Sequence, residues 1–323
     1  MSRDWRALIE AAAVRIAPHV HRTRVVRWPQ AGVWLKLESE QVTGSFKARG
    51  SSHKLLRLGP ERRAAGVVTA SSGNHGAGVA HAAKALDCPV VVFVPHHADP
   101  AKVARIGELG AEVLAHGDDC VDTEAHARAW AAQTGRPYIS PYNDLDVVAG
   151  QGTIGAELLD QLPDLDVVFV AMGGGGLISG VGAYLKACRP QVEIVACSPA
   201  RSPAMHASLE AGRIIDVPCE DTLSDSTAGG VEPGAITFDL CRAVIDRSIL
   251  VDEAEIATAM RRLHGDMGLR VEGAAGVAVA AWARVAADYL DRDVALVICG
   301  ANITDDAFEE VLASGGPTED QSD

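Results

Sequence analysis

Short apolar runs alternate with longer amphipathic segments along most of the chain. In one part of the chain the runs that predict strands are 66–70, 89–95, 111–115 and 137–140, and the segments between them predict helices. Strands that are apolar along their whole length are typical of a parallel sheet with helices on both faces. The pattern therefore predicts a compact four-stranded α/β unit over residues 66–141.

A second series of strands and helices has the same character. Its predicted strands are 33–38, 165–172, 192–198, 247–251 and 294–299. We therefore predict an α/β fold of two doubly wound parallel-sheet domains, in which the smaller, 66–141, is inserted into a larger one formed by 1–65 and 142–323. Ligands of such sheets bind beyond the carboxyl ends of the strands, so chemistry is expected in the cleft between the domains.

The composition of the 323 residues excludes some classes of function. A net charge of −14 disfavours nucleic acids and anionic membranes as partners, because both need a positive surface. No apolar stretch approaches the roughly 18 residues that a membrane-spanning helix needs. The seven cysteines include no CxxC pair, which fits a protein of the reducing cytoplasm whose thiols mostly pack in the core.

The stretch VTGSFKARG, residues 42–50, places a lysine at the start of a predicted helix. Thr43 or Ser45 is expected to be the N-cap, which puts Lys47 in the first turn. There the helix dipole disfavours a cation by a few tenths of a kcal/mol, and Gly50 costs the helix about 0.5–1 kcal/mol. Two such penalties close together indicate either chance or a functional site.

Two strand ends carry residues suited to binding an anion. SSGNH, residues 71–75, follows one predicted strand, and GGGG, residues 173–176, follows another. Backbone N–H groups at a helix N-terminus bind carboxylates and phosphates, and consecutive glycines let several of them face one anion. The glycines match neither GxGxxG nor the P-loop, which disfavours NAD and ATP. For SSGNH the alternative interpretation is an ordinary helix cap.

A third strand end places Cys299 at the rim of the expected cleft. A thiol in this position is a core residue, a nucleophile or a neutral hydrogen-bond partner, and the sequence leaves these three roles open. One ligand would use all three strand ends together with Lys47. Pyridoxal phosphate carries a phosphate for the glycines, an aldehyde for an amine and a ring nitrogen for a thiol.

With these motifs the chain resembles the serine/threonine dehydratase and serine racemase family, which are fold type II, tryptophan-synthase-β-like pyridoxal phosphate enzymes. GSFKARG resembles the lysine motif of that family, SSGNHG its substrate loop, GGGGL its phosphate loop and CGAN its ring-nitrogen motif. The resemblance extends from about residue 15 to residue 310. It implies that the cofactor lies in the cleft between the two domains.

The resemblance also implies a role for each site residue. Lys47 would bind the cofactor covalently and later remove the Cα proton of the substrate, while Ser72 would offer a proton on the opposite face. Phe46 would pack beside the cofactor ring, Asn74 would bond its hydroxyl and Cys299 would face its nitrogen. The phosphate would be held by Gly173, Gly174, Gly175, Gly176 and Leu177. The substrate carboxylate would be bound by Ser71, Gly73, Asn74 and His75.

The implied activity is that of a dehydratase, or ammonia-lyase, which converts a β-hydroxy amino acid such as L-threonine or L-serine to a 2-oxo acid and ammonia. The alternatives are a serine racemase, a dehydratase for a larger hydroxyectoine-derived or phenylserine-like substrate, a β-replacement enzyme and a cofactor-binding regulator without activity. Ser198 and Ala204 stand where relatives carry metal-binding acids, so no metal is expected. The family implies a homodimer, and the sequence leaves open which β-hydroxy amino acid is the substrate.

Overall fold

The computed structural model describes residues 3–118 and 120–314, so residues 1–2 and 315–323 of the predicted large domain and residue 119 of the predicted small domain lie outside it. The strands in chain order are β1 (Val25–Trp28), β2 (Val33–Lys36), β3 (Val67–Ala70), β4 (Val90–Val94), β5 (Glu112–Ala115), β6 (Val167–Ala171), β7 (Glu193–Pro199), β8 (Arg247–Val251) and β9 (Val294–Val297). The α-helices are α1 (Trp5–Ile16), α2 (Lys47–Arg57), α3 (Gly59–Ala64), α4 (Asn74–Ala85), α5 (Pro100–Glu108), α6 (Cys120–Thr134), α7 (Leu145–Gln161), α8 (Gly176–Cys188), α9 (Ala204–Ala211), α10 (Ile236–Val244), α11 (Glu253–Met267), α12 (Gly273–Val285) and α13 (Asp305–Ala313).

The strands form two sheets. β3, β4 and β5 are parallel neighbours in a three-stranded sheet. The other strands form a six-stranded sheet in the order β1-β2-β9-β6-β7-β8, whose neighbours are parallel except for the pair β1 and β2. The predicted α/β class with parallel sheets is confirmed, and the domain boundaries at 65 and 142 stay a prediction.

The edge strand β1 is an element that the apolar pattern does not predict. It pairs antiparallel with β2 through a tight turn in which Gly32 has φ +70° and donates its N–H to the Trp28 carbonyl at 2.8 Å. Arg27 is exposed on this strand and interrupts the apolar run that marks the inner strands. Edge strands carry such polar positions because one side of them faces water.

The predicted fourth strand of the small sheet, 137–140, is wrong. Tyr138 makes an isolated bridge to Val68 of β3. The bridge consists of hydrogen bonds from the Val68 N–H to the Pro137 carbonyl and from the Ile139 N–H to the Val68 carbonyl. The ladder does not continue, because Pro137 and Pro141 have no N–H to donate.

Helix α2 begins without a side-chain cap, because its N-cap residue is Phe46. The predicted caps Thr43 and Ser45 are therefore wrong. Ser45 instead forms a bridge with Gly300, and the Phe46 N–H donates to the Cys299 carbonyl at 3.1 Å. Pairing with a distant segment, and not local capping, sets the point at which α2 begins.

A buried ion network fixes α2 against the large sheet. The guanidinium of Arg49, 1% exposed, donates to Glu38 at 2.7 and 2.8 Å and to Glu157 of α7 at 2.6 Å. Lys36, at the end of β2, donates to the same Glu157 at 2.5 Å. Buried charges persist only when they are paired and hydrogen-bonded, so these contacts tie α2, β2 and α7 together.

Gly50 lets α2 approach α7 closely. A Cβ at this position would lie 2.8 Å from Cδ of Gln151 and 2.9 Å from Cγ1 of Val147. The Gly50 N–H also donates to Oε1 of Gln151 at 3.2 Å. The helical cost of this glycine is thus linked to the tight packing of two helices.

Gly50→Ala is expected to destabilise the protein by about 1–3 kcal/mol, because the added methyl group overlaps a packed helix pair. Gly265, inside α11, is the matched control, since an added Cβ there meets no atom within 4 Å. Gly265→Ala should stabilise the protein by about 0.5–1 kcal/mol through helix propensity. Urea unfolding measures both variants, and equal effects would contradict the close approach at Gly50.

Candidate active site

The predicted site residues line one cavity of about 350 Å³ at the carboxyl ends of β3, β6 and β9. They are Phe46, Lys47, Ser71, Ser72, Gly73, Asn74, His75, Gly173, Gly174, Gly175, Gly176, Leu177 and Cys299. The structure therefore brings all of them together. Their individual roles stay predictions.

Lys47, the first residue of α2, donates from its amine to the Pro141 carbonyl at 3.0 Å. Loss of hydration lowers the pKa of this amine from 10.5 to about 8, and the weaker influence of Cys299 and Glu272 acts in the opposite direction. Near pH 7 the neutral form of the amine is therefore roughly 300-fold more populated than in an ordinary lysine.

Cys299 follows β9 and lies beside the start of α2. Its side chain is 2% exposed, and burial raises the pKa of the thiol well above its ordinary value, with a further contribution from Glu272. The thiol is therefore protonated at neutral pH. Since a thiolate is the nucleophilic form, this environment favours a neutral hydrogen-bond partner over a nucleophile.

The loop after β3 leads into α4, which begins at Asn74 with Gly73 as its N-cap and no side-chain capping bond. The alternative of an ordinary side-chain cap is therefore not supported. Nε2 of His75 donates to the Ile139 carbonyl at 2.9 Å. Burial and the nearby Lys47 lower the pKa of His75 to about 3, so the imidazole is neutral. An anion at this helix N-terminus would be bound by backbone N–H groups.

The four glycines after β6 are confined on the side where a Cβ would be. The groups that a Cβ would meet are the Thr227 carbonyl oxygen at Gly173, the Tyr142 side chain at Gly174 and Gly176, and the Cys241 sulfur at Gly175. Gly175 also adopts φ +83°, a conformation that favours glycine. The loop leads into α8, and no Lys or Arg occurs between residues 143 and 185. An anion here would be bound by backbone N–H groups and the helix dipole.

Glu272 is a cavity residue that the sequence motifs do not predict. It is the N-cap residue of α12, but its carboxylate makes no capping bond. Its two oxygens accept from Nδ2 of Asn74 at 2.9 and 2.8 Å, and Oε1 accepts from Ser226 at 2.9 Å. Burial raises the pKa of Glu272, whereas these hydrogen bonds act in the opposite direction. The sequence feature that could have indicated Glu272 is its place as an isolated acid directly before a helix that is otherwise apolar until Arg284.

Asn302 and Arg105 extend this network to the rim of the cavity. Nδ2 of Asn302 donates to Oδ1 of Asn74 at 2.5 Å, and Arg105 of α5 donates to Oδ1 of Asn302 at 2.5 Å. A second residue of α5, Lys102, pairs with Asp225 at 2.6 Å. Side chains of the small-sheet region are thereby linked to loops of the large sheet across the cavity.

The sequence profile of the family described as pyridoxal-phosphate dependent enzyme matches residues 16–300. The chain belongs to this family. The predicted family and the predicted cofactor, pyridoxal phosphate, are thereby confirmed. As a pyridoxal-phosphate dependent enzyme it needs an amine for the aldehyde, and two lysines line the cavity. Lys102 is paired with a carboxylate, whereas Lys47 is bonded to a carbonyl and has a lowered pKa, so Lys47 is the amine that fits.

The remaining groups of the cavity also fit the cofactor. The glycine loop 173–176 offers a backbone site for its phosphate, and the protonated thiol of Cys299 suits its ring nitrogen. These residues thus suit the phosphate, the aldehyde and the ring nitrogen of pyridoxal phosphate.

Named relatives of this pyridoxal-phosphate dependent enzyme include an ammonia-lyase, a deaminase and a racemase. An L-threonine ammonia-lyase of Thermotoga maritima is 40% identical over 285 residues, which is 88% of this chain and 70% of the relative. The processed form of threonine deaminase isoform 2 from Solanum lycopersicum has a TM-score of 0.91 at 30% identity, over 97% of this chain and 88% of that chain. Maize serine racemase has a TM-score of 0.89 at 31% identity, over 96% and 97% of the two chains. The predicted fold type is confirmed.

Across the described part of the chain, every helix is too short or too polar to cross a bilayer. Within residues 3–118 and 120–314, no three acidic, histidine or cysteine side chains are grouped in a way that suits a metal ion. The prediction that no metal takes part stays a prediction.

Lys47→Met is expected to stabilise the cofactor-free protein at pH 7, because burying the charged amine costs free energy. A folded pKa of about 8 against 10.5 in the unfolded chain corresponds to about 3 kcal/mol at most. This penalty is fully present below pH 8 and disappears as the pH rises to 10.5. Urea unfolding between pH 6 and pH 10.5 measures it.

The matched control for this prediction is Lys84→Met, which removes an exposed lysine from α4. This variant should match the wild type in stability within about 0.5 kcal/mol across the same pH range. A Lys47→Met effect that stays constant with pH would contradict the lowered pKa.

Proposed function

We propose that the protein is a pyridoxal phosphate-dependent ammonia-lyase that acts on a β-hydroxy amino acid such as L-threonine or L-serine. The net reaction gives a 2-oxo acid and ammonia. One observation carries the proposal: the weakly basic amine of Lys47 shares a cavity with two backbone anion sites, one suited to a phosphate and one to a substrate carboxylate. The ammonia-lyase from Thermotoga maritima supports the reaction class.

The cofactor would be held by residues of three strand ends. Lys47 would bind it covalently, and the phosphate would be bound by Gly173, Gly174, Gly175, Gly176 and Leu177. Phe46, Asn74 and Cys299 would contact the ring. When bound, pyridoxal phosphate supplies an electron sink for the electron pair left at Cα of an amino acid.

The substrate carboxylate would be bound by Ser71, Gly73, Asn74 and His75 at the start of α4. No side chain caps this helix, so its first N–H groups are available to a ligand. The neutral imidazole of His75 adds no competing charge. A carboxylate anchored at this point fixes the direction in which the Cα–H bond of the substrate is presented.

Lys47 would remove the Cα proton. With a pKa of about 8, its neutral amine accepts a proton near neutral pH, and the ammonium group that forms is acidic enough to release it again. The Pro141 carbonyl accepts a hydrogen bond from Nζ at 3.0 Å and holds the amine at one point of the cavity.

Cys299 would contribute by withholding a proton. Because the pKa of its thiol is raised well above the ordinary value, it offers a neutral hydrogen bond where an acid would transfer a proton. The cofactor ring would then withdraw negative charge from Cα less strongly than a ring with a protonated nitrogen. This favours prompt loss of the β-hydroxyl group over slower reactions of the substrate.

A serine racemase is the second candidate, and Ser72 is the residue that favours it. Its side chain lines the same cavity as Lys47. If the hydroxyl lies across the substrate from the lysine, a proton removed on one side of Cα is replaced on the other. The likeness to maize serine racemase supports this candidate as well.

We further propose a homodimer that works in the cytoplasm. The six cysteines whose side chains the structure describes are free thiols, which supports a reducing compartment. The dimer rests on the resemblance to the dehydratase family. Sedimentation velocity would test it by giving the mass of two chains.

The protein loaded with pyridoxal phosphate should release ammonia and a 2-oxo acid in equal amounts from L-threonine or L-serine. A panel that adds phenylserine and a hydroxyectoine-derived amino acid would show which side chain the cavity prefers. Lys47→Ala should lose the visible absorbance of the bound cofactor and at least about a hundredfold in turnover, because proton transfer contributes that much or more. Lys84→Ala is the control and should keep both.

The same measurements separate the alternatives. D-serine formed from L-serine without a 2-oxo acid would replace the ammonia-lyase by a racemase. Cofactor absorbance without turnover on any of these substrates would indicate a regulator. A wild-type protein that takes up no pyridoxal phosphate would refute the proposal.

A further inference from the structure

The amide of Asn74 is held in a single orientation by its neighbours. Its Oδ1 accepts from Nδ2 of Asn302 at 2.5 Å, and its own Nδ2 contacts both carboxylate oxygens of Glu272 at 2.9 and 2.8 Å. A carboxylate accepts hydrogen bonds and does not donate them, so the NH₂ group must be on the side of Glu272. Nδ2 of Asn302 also donates to the Thr43 carbonyl at 2.9 Å, which fixes Asn302 in the same way.

The carboxylate of Glu272 is itself held in one position. Besides Asn74, it accepts from Ser226 at 2.9 Å and from the Asn302 N–H at 3.2 Å. The side chain is 2% exposed, and a Cβ at Gly300 would lie 2.8 Å from its carboxyl group, so the space behind it is filled. Glu272 is the N-cap residue of α12, but its carboxylate makes no hydrogen bond to the helix. Its hydrogen-bonding capacity is therefore directed to Asn74 and its neighbours.

This arrangement leaves Asn74 with hydrogen-bonding capacity for a ligand. Nδ2 lies at nearly equal distances from the two oxygens of Glu272, so one N–H serves both contacts and the second N–H is free for another acceptor. Oδ1 is already used by Asn302. A group in the cavity that approaches the Asn74 amide therefore meets a donor.

We infer that Glu272 is a positioning residue. It fixes the amide of Asn74 as a hydrogen-bond donor toward the hydroxyl oxygen of the cofactor ring, and a donor at this point keeps that oxygen in its ionised form. The inference rests on the proposed function, because it needs pyridoxal phosphate in this cavity. Glu272 thereby joins the groups that determine the protonation state of the cofactor, although it lies 198 residues from Asn74 in the sequence.

The first test is the pH dependence of the visible absorbance of the loaded enzyme. Glu272→Gln replaces one of the two carboxylate oxygens by a donor, so Nδ2 of Asn74 is held by a single neutral oxygen where the carboxylate offers two ionised ones. The pKa of the absorbance change should rise by about one unit, and cofactor affinity should fall roughly tenfold. Asn74→Ala should show the same shifts, and the double variant should show no more than either alone, because Glu272 acts through Asn74.

Glu124→Gln is the matched control for this test. Glu124 lines the same cavity and loses the same charge, but its hydrogen bonds are to Arg128. The spectroscopic pKa should therefore stay at the wild-type value in this variant. Additive shifts in Asn74→Ala with Glu272→Gln, or an unchanged pKa in Glu272→Gln, would overturn the inference.

The second test separates positioning from a merely structural role. Asn74→Asp alone places two carboxylates together and should lower the Tm of the cofactor-free protein. Asn74→Asp combined with Glu272→Gln restores a donor and an acceptor with reversed polarity, so the Tm should recover. Position 74 then presents no donor, and the spectroscopic pKa should stay raised. Recovery of both quantities would show that Glu272 only stabilises the fold.

The two tests also distinguish the inference from the proposed function. A wild-type protein without cofactor uptake refutes the proposed function and the link to the cofactor. In that case recovery of the Tm in the cofactor-free double variant would still support the fixed amide. Failure of the Tm to recover would overturn the fixed amide.

Discussion

Pairing of the buried Arg49 charge is the interaction on which the site depends. The guanidinium joins Glu38, just after β2, to Glu157 of α7, and it belongs to the helix that Lys47 begins. An unpaired charge in this place would cost several kcal/mol, so α2 has little freedom to rotate or slide. Gly50 permits the same helix to lie tightly against α7. Residues that do not reach the cavity thus help to determine where helix α2, and with it Lys47, is placed.

The anion sites expected in the cavity are formed by the backbone. Anions are expected at the N-termini of α4 and α8. There the backbone N–H groups and the helix dipoles are fixed in place, so an anion can be bound without a charged side chain. Burial lowers the pKa of the Lys47 amine to about 8, which costs stability and would serve the proposed proton transfer. Such a trade-off between stability and activity is common at active sites.

Much of the fold and of the candidate site follows from local sequence pattern. Buried parallel strands are apolar throughout, and the lysine, glycine and SSGNH motifs are contiguous, so the sequence alone predicts them. The errors share a physical cause, which is interaction between distant segments. Ser45 pairs with Gly300 instead of capping a helix, and Tyr138 meets β3 at one point between prolines. Glu272 contacts Asn74 across 198 residues of sequence, and no local pattern records that contact.

The distance along the chain between the residues of the site has a consequence for folding. Asn74 bonds to partners 198 and 228 residues away, and contacts of such long range form late and slowly. In the unfolded chain Lys47 is a hydrated side chain with an ordinary pKa, so its amine is protonated and reacts poorly with aldehydes. Its reactivity therefore arises together with the tertiary structure. Under the proposed function, covalent capture of a carbonyl compound would in this way be restricted to chains that have already reached the native state.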